Sequence, residues 1–324
     1  MNTTESTTAE MVARARAGDR GALARLLTLV ERGGRKAHGV GREVYPLVGE
    51  GYTIGLTGAP GSGKSTLTSA VVAAVRARGE RMAVLAIDPS SPYTGGAILG
   101  DRVRMGEHAL DEGVYIRSMA TRGHLGGLAL ATPEAVRVLD AVGFGWVLIE
   151  TVGVGQVEVE VAGAADTTVV VVNPGWGDRV QANKAGLMEI ADIFVINKAD
   201  RPGADSTRRD LESMLDLTGI GHDPSGSEWR PPVVSTVSTT GEGAESVWDA
   251  IVAHRAHLEA TGQLRLRREQ RLRDELALIV EQRIRVEAQA RLGVAGRARL
   301  EADLIAGRID PWAAADQVLD ESKN

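Results

Sequence analysis

The sequence has no cysteine among its 324 residues. This absence excludes disulfide bonds, cysteine nucleophiles, iron–sulfur clusters and cysteine-ligated zinc. Aromatic residues make up only 3% of the chain, which argues against a platform on which the bases of a single strand stack. No apolar run reaches the length of about 18 residues that a transmembrane helix needs. We therefore expect no membrane partner.

The chain also lacks an excess of positive charge. The chain has 37 Lys and Arg against 43 Asp and Glu, a formal net charge of −6. A net acidic chain is a poor candidate for broad nucleic-acid binding, so we expect no nucleic-acid partner. The polar, acidic opening MNTTESTTAEMV lacks the basic and apolar regions of a signal peptide, so we expect a cytoplasmic protein.

Apolar, β-branched runs alternate with helical stretches along most of the chain. The runs predict strands at 52–57, 82–87, 113–118, 146–150, 167–173, 193–197 and 233–236. Helical patterns lie between them at 65–78, 132–142, 180–190 and 206–215. This alternation is typical of βαβ units, so we predict an α/β fold with a mostly parallel central sheet.

Helical patterns also precede and follow this alternation. Residues 9–32 predict an amphipathic helix broken by Gly18, and the GGR at 33–35 is a predicted stop. From residue 247 to 292 the pattern predicts one long helix, interrupted at Gly293 and Gly296. We therefore divide the chain into an N-terminal helical extension (1–48), an α/β domain (49–250) and a C-terminal helical arm (251–324).

The C-terminal arm is locally basic and has apolar residues on roughly one face, namely Leu272, Leu276, Ile279, Val280, Ile284 and Leu292. One interpretation is a solvated helix with ion pairs four residues apart. The other is an arm that associates with a second copy. An apolar face at the end of a complete domain must be buried against something, so we predict a homodimer.

The strongest local motif follows the first predicted strand. It is the GxxxxGKS pattern formed by Gly58, Ala59, Pro60, Gly61, Ser62, Gly63, Lys64 and Ser65, with Thr66 next. In such a loop, backbone N–H groups cradle phosphate oxygens at the start of a helix. Lys64 reaches the β- and γ-phosphates, and the Ser65 hydroxyl binds Mg²⁺.

A second motif predicts guanine recognition. Asn197, Lys198 and Asp200 form an NKxD pattern directly after a strand. A carboxylate at Asp200 accepts two hydrogen bonds from guanine, and adenine offers no such donor pair. Lys198 covers the base, Asn197 ties this loop to the phosphate loop, and Ser238 and Thr239 bracket guanine from the other side. The expected cofactors are GTP or GDP and Mg²⁺.

Three acids lie at strand ends or in glycine-rich loops, where a parallel sheet binds its ligands. Asp88, Asp101 and Glu150 are the predicted magnesium or water-network carboxylates. Gly153 is predicted to donate its N–H to the γ-phosphate. Because no glutamine stands immediately after Gly153 to orient a water molecule, intrinsic hydrolysis should be slow. Lys184, in the stretch Gln181–Lys184, is a candidate catalytic lysine; the alternative is an ordinary surface helix start.

These motifs together resemble the methylmalonyl-CoA mutase-associated GTPases (the MeaB/ArgK type) of the SIMIBI class of P-loop GTPases. The stretches that carry the resemblance, in chain order, are GAPGSGKST, DPSSPYTGGAILGDRVRM, RSMATRGHLGGLA, ETVGVGQ, QANK and NKAD. The resemblance implies a homodimeric G protein that binds methylmalonyl-CoA mutase. It also implies that this protein gates the loading of adenosylcobalamin and protects the mutase from inactivation.

Three other interpretations compete with this one. The first is a binding module in which the nucleotide is only structural, and a partner-stimulated hydrolysis assay would distinguish it. A nickel-insertion GTPase would need Cys and His clusters, and the chain offers only His254 and His257 three residues apart on a predicted helix. A small-molecule kinase, related to arginine or ornithine transport, would need an acceptor pocket and a catalytic base that no motif marks.

Overall fold

The computed structural model describes residues 7–49, 51–88, 106–108, 110–120, 125–151, 163–175, 188–218 and 228–320. The chain forms two compact units, Met1–Glu269 and Gln270–Asn324. The first unit contains the sheet and its covering helices. The second contains most of the long C-terminal helix and the last helix. None of the described helices is both long enough and apolar enough to cross a membrane.

A seven-stranded parallel sheet forms the centre of the first unit, in the order β3-β2-β4-β1-β5-β6-β7. The strands are β1 (Tyr52–Gly58), β2 (Met82–Asp88), β3 (Val114–Ala120), β4 (Trp146–Thr151), β5 (Thr167–Val172), β6 (Ile193–Asn197) and β7 (Val233–Thr236). Every predicted strand is present, with ends that shift by at most two residues. The predicted α/β fold with a parallel sheet is therefore confirmed.

Both faces of the sheet are buried, because successive side chains of a strand point to opposite faces. On one face Ile54, Leu148 and Val169 pack with α4 (Lys64–Ala77) and α7 (Ala244–Ala260). On the other face Leu85 and Ile149 pack with α5 (Leu125–Ala141). A third cluster joins β5 and β6 to α6 (Ala204–Thr218).

Three N-terminal helices, α1 (Thr8–Arg16), α2 (Arg20–Arg32) and α3 (Gly34–Val44), belong to the same core. Gly18 has φ +95° and separates α1 from α2, as predicted. The expectation of a stop at 33–35 is only half right, because α2 ends there but α3 begins at once. Positive φ at Gly33 and Gly34 turns the chain, and the helix that follows buries Val40.

The C-terminal helices correct one prediction. The expected continuous helix over 247–292 is instead two helices, because Gly262 (φ +72°) separates α7 from α8 (Gln263–Ile305). Gly293 interrupts α8 as predicted, with φ 59° and ψ 177°. Gly296 does not interrupt it and has helical neighbours on both sides. The last helix is α9 (Pro311–Asp320).

Three other predicted helices can be compared with the structure. The predicted helix at 206–215 is confirmed as α6, and the one at 132–142 begins earlier, at Leu125. Most of the predicted helix at 180–190 lies outside the described residues.

Candidate functional site

The phosphate-loop motif connects β1 to α4 at the carboxyl edge of the sheet. Gly58 has φ +140°, and a Cβ atom there would lie 2.1 Å from the carbonyl oxygen of Val171 in β5. Gly61 (φ +75°) and Gly63 (φ +91°) also adopt the left-handed conformation that favours glycine. The glycines of the motif are therefore required by the turn itself and by the close approach of the neighbouring strand.

Lys64 is the first residue of α4 and is only 6% exposed. Its Nζ donates hydrogen bonds to the carbonyl oxygens of Gly58 at 2.6 Å and Ala59 at 3.2 Å. The ammonium group thus lies inside the arch of the loop, at the positive end of the helix dipole. The Lys64 ammonium group and the amino end of α4 therefore both place positive charge where the motif predicts phosphates. The neighbouring Pro60 and Thr66 are exposed.

Glu150 meets the start of α4 beneath this loop. It is the fifth residue of β4 and is 1% exposed. Ser65 Oγ donates to its Oε1 at 2.5 Å, and Thr68 Oγ1 donates to its Oε2 at 2.9 Å. A hydroxyl and a carboxylate side by side are the oxygen donors that Mg²⁺ takes, with phosphates and water completing its shell. The residues present therefore fit a magnesium ion.

Of the other two predicted magnesium carboxylates, only Asp88 lies among the described residues. Asp88 is the last residue of β2, and in the parallel register Ile87 pairs with Thr151. The backbone of Asp88 therefore lies at the same sheet edge as Glu150. Asp101 lies outside the described residues, as do Gly153, Gln181 and Lys184. No cluster of three His, Asp or Glu side chains suited to a metal occurs within the described ranges.

Asn197 joins the phosphate loop to the predicted guanine loops. It ends β6, is 2% exposed, and its Nδ2 donates to the carbonyl oxygen of Ser62 at 2.8 Å. Its Oδ1 accepts from Ser238 Oγ at 2.7 Å, from Ser238 N at 3.2 Å and from Thr236 Oγ1 at 3.1 Å. One buried amide therefore connects three segments that are far apart in sequence.

Lys198 approaches the same loop from outside. Its Nζ donates to the carbonyl oxygen of Gly61 at 2.6 Å. Its φ of 58° is the only positive value at a non-glycine residue in the described part of the chain, a conformation that costs free energy and is concentrated at functional sites. Asp200, two residues after Lys198, and Thr239, directly after Ser238, are exposed. Both side chains are accessible to a base, and their roles in binding stay predictions.

Thr68 and Asn173 are site residues that the sequence motifs did not identify. Asn173 directly follows β5, and its Nδ2 donates to the carbonyl oxygen of Gly61 at 3.4 Å. Its Oδ1 is buried without a partner among the described residues. A polar residue immediately after a fully buried strand is the signal that would have identified it, since the carboxyl ends of parallel strands carry ligand sites.

His254 and His257 do not form an open metal pair. His254 is fully buried, its Nδ1 lies 2.8 Å from Thr167 Oγ1, and its Nε2 lies 3.3 Å from Asp192 Oδ1. The ring of Trp229 is 4.8 Å from that of His254 and 5.3 Å from that of His257. The geometry is that of a packed histidine at the amino edge of the sheet.

Comparisons with known proteins identify several relatives of this chain. A family model described as methylmalonyl Co-A mutase-associated GTPase MeaB matches residues 23–292. A Pyrococcus abyssi protein named as a GTPase is 50% identical over 319 residues, which cover 96% of each chain. The mouse protein named methylmalonic aciduria type A homolog, mitochondrial, is 32% identical and matches 84% of this chain and 66% of its own length.

One solved structure extends the likeness to three dimensions. The crystal structure titled LAO/AO transport system kinase superposes with a TM-score of 0.72 at 27% sequence identity, and the match covers 100% of both chains. The α/β fold with its parallel sheet and surrounding helices is therefore shared with a known structure.

Proposed function

The chain belongs to the family of methylmalonyl-CoA mutase-associated GTPases, and from that premise we propose that it is a GTP-hydrolysing G protein serving such a mutase. In this proposal the client is methylmalonyl-CoA mutase or a related adenosylcobalamin-dependent mutase. The GTP and GDP states gate the loading of adenosylcobalamin and protect the mutase from inactivation.

The observation that carries the nucleotide part of the proposal is the position of Asn197. Its amide holds Ser62 of the phosphate loop and Ser238 of the predicted guanine loop at the same time. A base held by Asp200 would therefore be in fixed register with phosphates held by the loop. This coupling favours a guanine nucleotide over the small-molecule kinase alternative, which has no need for an NKxD loop.

Hydrolysis in this proposal depends mainly on charge stabilisation. Lys64 would neutralise the transferring phosphate, and Ser65, Asp88, Asp101 and Glu150 would bind the magnesium ion or orient its waters. A bound Mg²⁺ would supply Lewis-acid stabilisation of the phosphate oxygens. Thr68 and Ser65 hold the Glu150 carboxylate in one orientation. In this proposal a client brings Lys184 to the phosphates, so the isolated protein turns over slowly.

The test is GTP hydrolysis by the full chain with and without the purified mutase, with Lys64→Ala as the inactive control. We expect slow basal turnover that the mutase accelerates, and no acceleration in the control. If GTP binds and turns over but the mutase changes neither rate nor affinity, the client assignment is wrong. If neither GTP nor GDP binds, the nucleotide assignment is wrong as well.

We also propose that the second unit mediates homodimerisation. In α8 the side chains of Leu276 and Ile284 are 62% and 51% exposed, on the face that also carries Leu272 and Val280. The same helix carries exposed ion pairs four residues apart, including Arg297–Glu301, as expected for its solvated side. An apolar stripe beside a charged side is the pattern of a helix that pairs with a second copy.

Light scattering of the full chain at micromolar concentration tests this assignment. We expect a dimer, and we expect the double variant Leu276→Glu, Ile284→Glu to be monomeric. Leu217→Glu is the matched control, because Leu217 is 87% exposed on α6 of the first unit. A monomeric native protein, or a double variant that stays dimeric, would contradict it.

A further inference from the structure

A cleft lies at the amino edge of the sheet, away from the phosphate loop. Its volume is about 620 Å³. Arg81, Gly113 and Phe144 line it just before or at the starts of β2, β3 and β4, and Gly18 and Arg20 line it from the junction of α1 and α2. The phosphate loop follows the carboxyl end of β1, so a strand length of about 20 Å separates the two places. The cleft is thus distinct from the nucleotide site.

Two of the charged groups that line the cleft are already neutralised. Arg76 Nε donates to Asp111 Oδ2 at 2.7 Å. Asp19 accepts from Arg14 Nε at 2.9 Å and, as the N-cap of α2, from Ala22 N at 2.9 Å. These pairs contribute little net field inside the cleft.

Arg20 and Arg81 are not neutralised in this way. Arg20 donates to the carbonyl oxygens of Asp111 at 3.2 Å and Val114 at 2.9 Å, and Arg81 donates to that of Gly143 at 3.3 Å. All of these acceptors are uncharged, and neither arginine forms an ion pair within the part of the chain that is described. The remaining lining charge is Glu112, which is exposed. The unpaired charges that line the cleft therefore sum to a net positive charge.

Aromatic rings hold both guanidinium groups in place. The rings of Tyr115 and Phe144 are 6.1 Å apart, with the Arg20 guanidinium carbon 5.5 Å from the first ring and that of Arg81 4.5 Å from the second. Stacking on a ring restricts a guanidinium while leaving N–H groups at its edge free for a planar oxyanion. The two cations therefore form one preorganised patch on an aromatic floor.

We propose that this cleft binds a small organic oxyanion, with a phosphate or carboxylate group on a flat or apolar body. The oxyanion contacts Arg20 and Arg81, whose guanidinium groups cover the buried rings of Tyr115 and Phe144, and the body occupies the remaining volume of the cleft. The alternative is that both arginines serve only to bind the backbone carbonyls of Val114 and Gly143. That alternative predicts no ligand and no response to charge changes around the cleft.

The experiment is calorimetric titration of the full chain, saturated with GDP and Mg²⁺ so that the phosphate loop is occupied. The probes are phenyl phosphate and benzoate, which distinguish the two oxyanions, and benzyl alcohol, which lacks the charge. We expect one site per chain for at least one anion and none for the alcohol. Arg81→Ala should weaken that binding about tenfold, the loss of one charge-assisted hydrogen bond.

Three further variants test whether charge around the cleft controls the affinity for the anion. Glu112→Gln should strengthen binding about threefold, because it removes a like charge a few ångström away in water. Arg78→Ala is the matched control, since the charge of Arg78 is paired with Asp249 at 2.8 Å and should not matter. Arg81→Gln repeats the test with a side chain that keeps one donor. Binding of neither anion, or binding that ignores Arg81 and Glu112, would overturn the proposal.

Discussion

The two edges of the sheet both bury polar side chains, but they use them differently. At the carboxyl edge Lys64 and Lys198 donate to backbone carbonyl oxygens of the glycine-rich loop. At the amino edge two arginines at the start of α8 meet two buried carboxylates. Arg268 binds Asp166 at 2.7 Å and Arg267 binds Asp192 at 3.0 Å.

The difference indicates that the cations of the carboxyl edge are placed for a ligand, whereas the buried ion pairs Arg268–Asp166 and Arg267–Asp192 hold the fold together. Cations that rest on neutral carbonyls can transfer to a phosphate at little cost, whereas breaking a buried ion pair leaves a charge uncompensated. The carboxyl edge also keeps the buried Ser62 Oγ and Asn173 Oδ1 without partners in the described part of the chain. We therefore expect substitutions in the buried ion pairs of the amino edge to affect stability and those at the carboxyl edge to affect nucleotide chemistry.

Asp166→Ala is expected to have the largest effect. Asp166 is fully buried, and its Oδ2 accepts from Thr53 N at 3.0 Å as well as from Arg268. Its removal should lower the free energy of unfolding by about 3–5 kcal/mol, measured by urea denaturation, with GDP affinity unchanged in the folded protein. Asp216→Ala, at an exposed pair with Arg230, should cost under about 1 kcal/mol. Equal losses for both would contradict the argument that the buried ion pair stabilises the fold more than an exposed one.

Lys64→Ala should have the opposite effect to Asp166→Ala: hydrolysis should fall strongly and stability should change little. The variant removes the only lysine of the phosphate loop, and hydrolysis should fall about 10²–10³-fold because transition-state charge is no longer stabilised. Its unfolding midpoint should change little, since the bonds it loses are to loop carbonyls. Phosphate release reports the first quantity and thermal unfolding the second. Lys36→Ala, at an exposed position on α3, is the control. Hydrolysis at the native rate would refute the site.

Asp200→Asn should change which base is bound. The carboxylate would accept from two guanine donors, whereas the amide presents a donor that suits xanthine, so GDP affinity should fall about 10²-fold while xanthosine diphosphate gains. Asp200 is exposed, so the fold should be unaffected. Competition against labelled GDP measures both affinities, and Asp205→Asn, at the start of α6, is the control. Displacement of GDP by ADP as readily as by GDP would contradict guanine specificity.

The contrast between the edges also explains what the sequence could reveal. The phosphate loop is local: its residues are consecutive, and its chemistry follows from their order. The strands were predictable because their apolar runs are short and bounded by turn residues. The break at Gly262 was not predictable, because the helical sequence pattern continues on both sides of this single glycine.

The amino-edge network was beyond sequence reasoning for a different reason. Arg268 and Asp166 are 102 residues apart, and Thr167 and His254 are 87 residues apart. Only the parallel register that places the starts of β1, β5 and β6 side by side brings these groups together. No pattern in a single sequence marks such pairs, whereas Asn173 could have been found from its place at a strand end.

The smallest expected effect is a pH dependence of stability that arises at His254. Burial is the main cause that lowers the pKa of this imidazole from 6.5 to about 4, and Arg267 also lowers it, while Asp192 and Asp166 oppose the shift. The folded protein therefore keeps His254 neutral at pH values where the unfolded chain takes up a proton. Its contribution is complete above pH 6.5 and is lost as the pH falls toward 4. Between pH 6.5 and 5.5 the loss of unfolding free energy should be about 1 kcal/mol.

Urea denaturation at both pH values measures this loss, and His254→Gln should remove this part of the pH dependence. His257→Gln, one turn further along α7, should keep it; an unchanged slope in His254→Gln would assign the effect to another group.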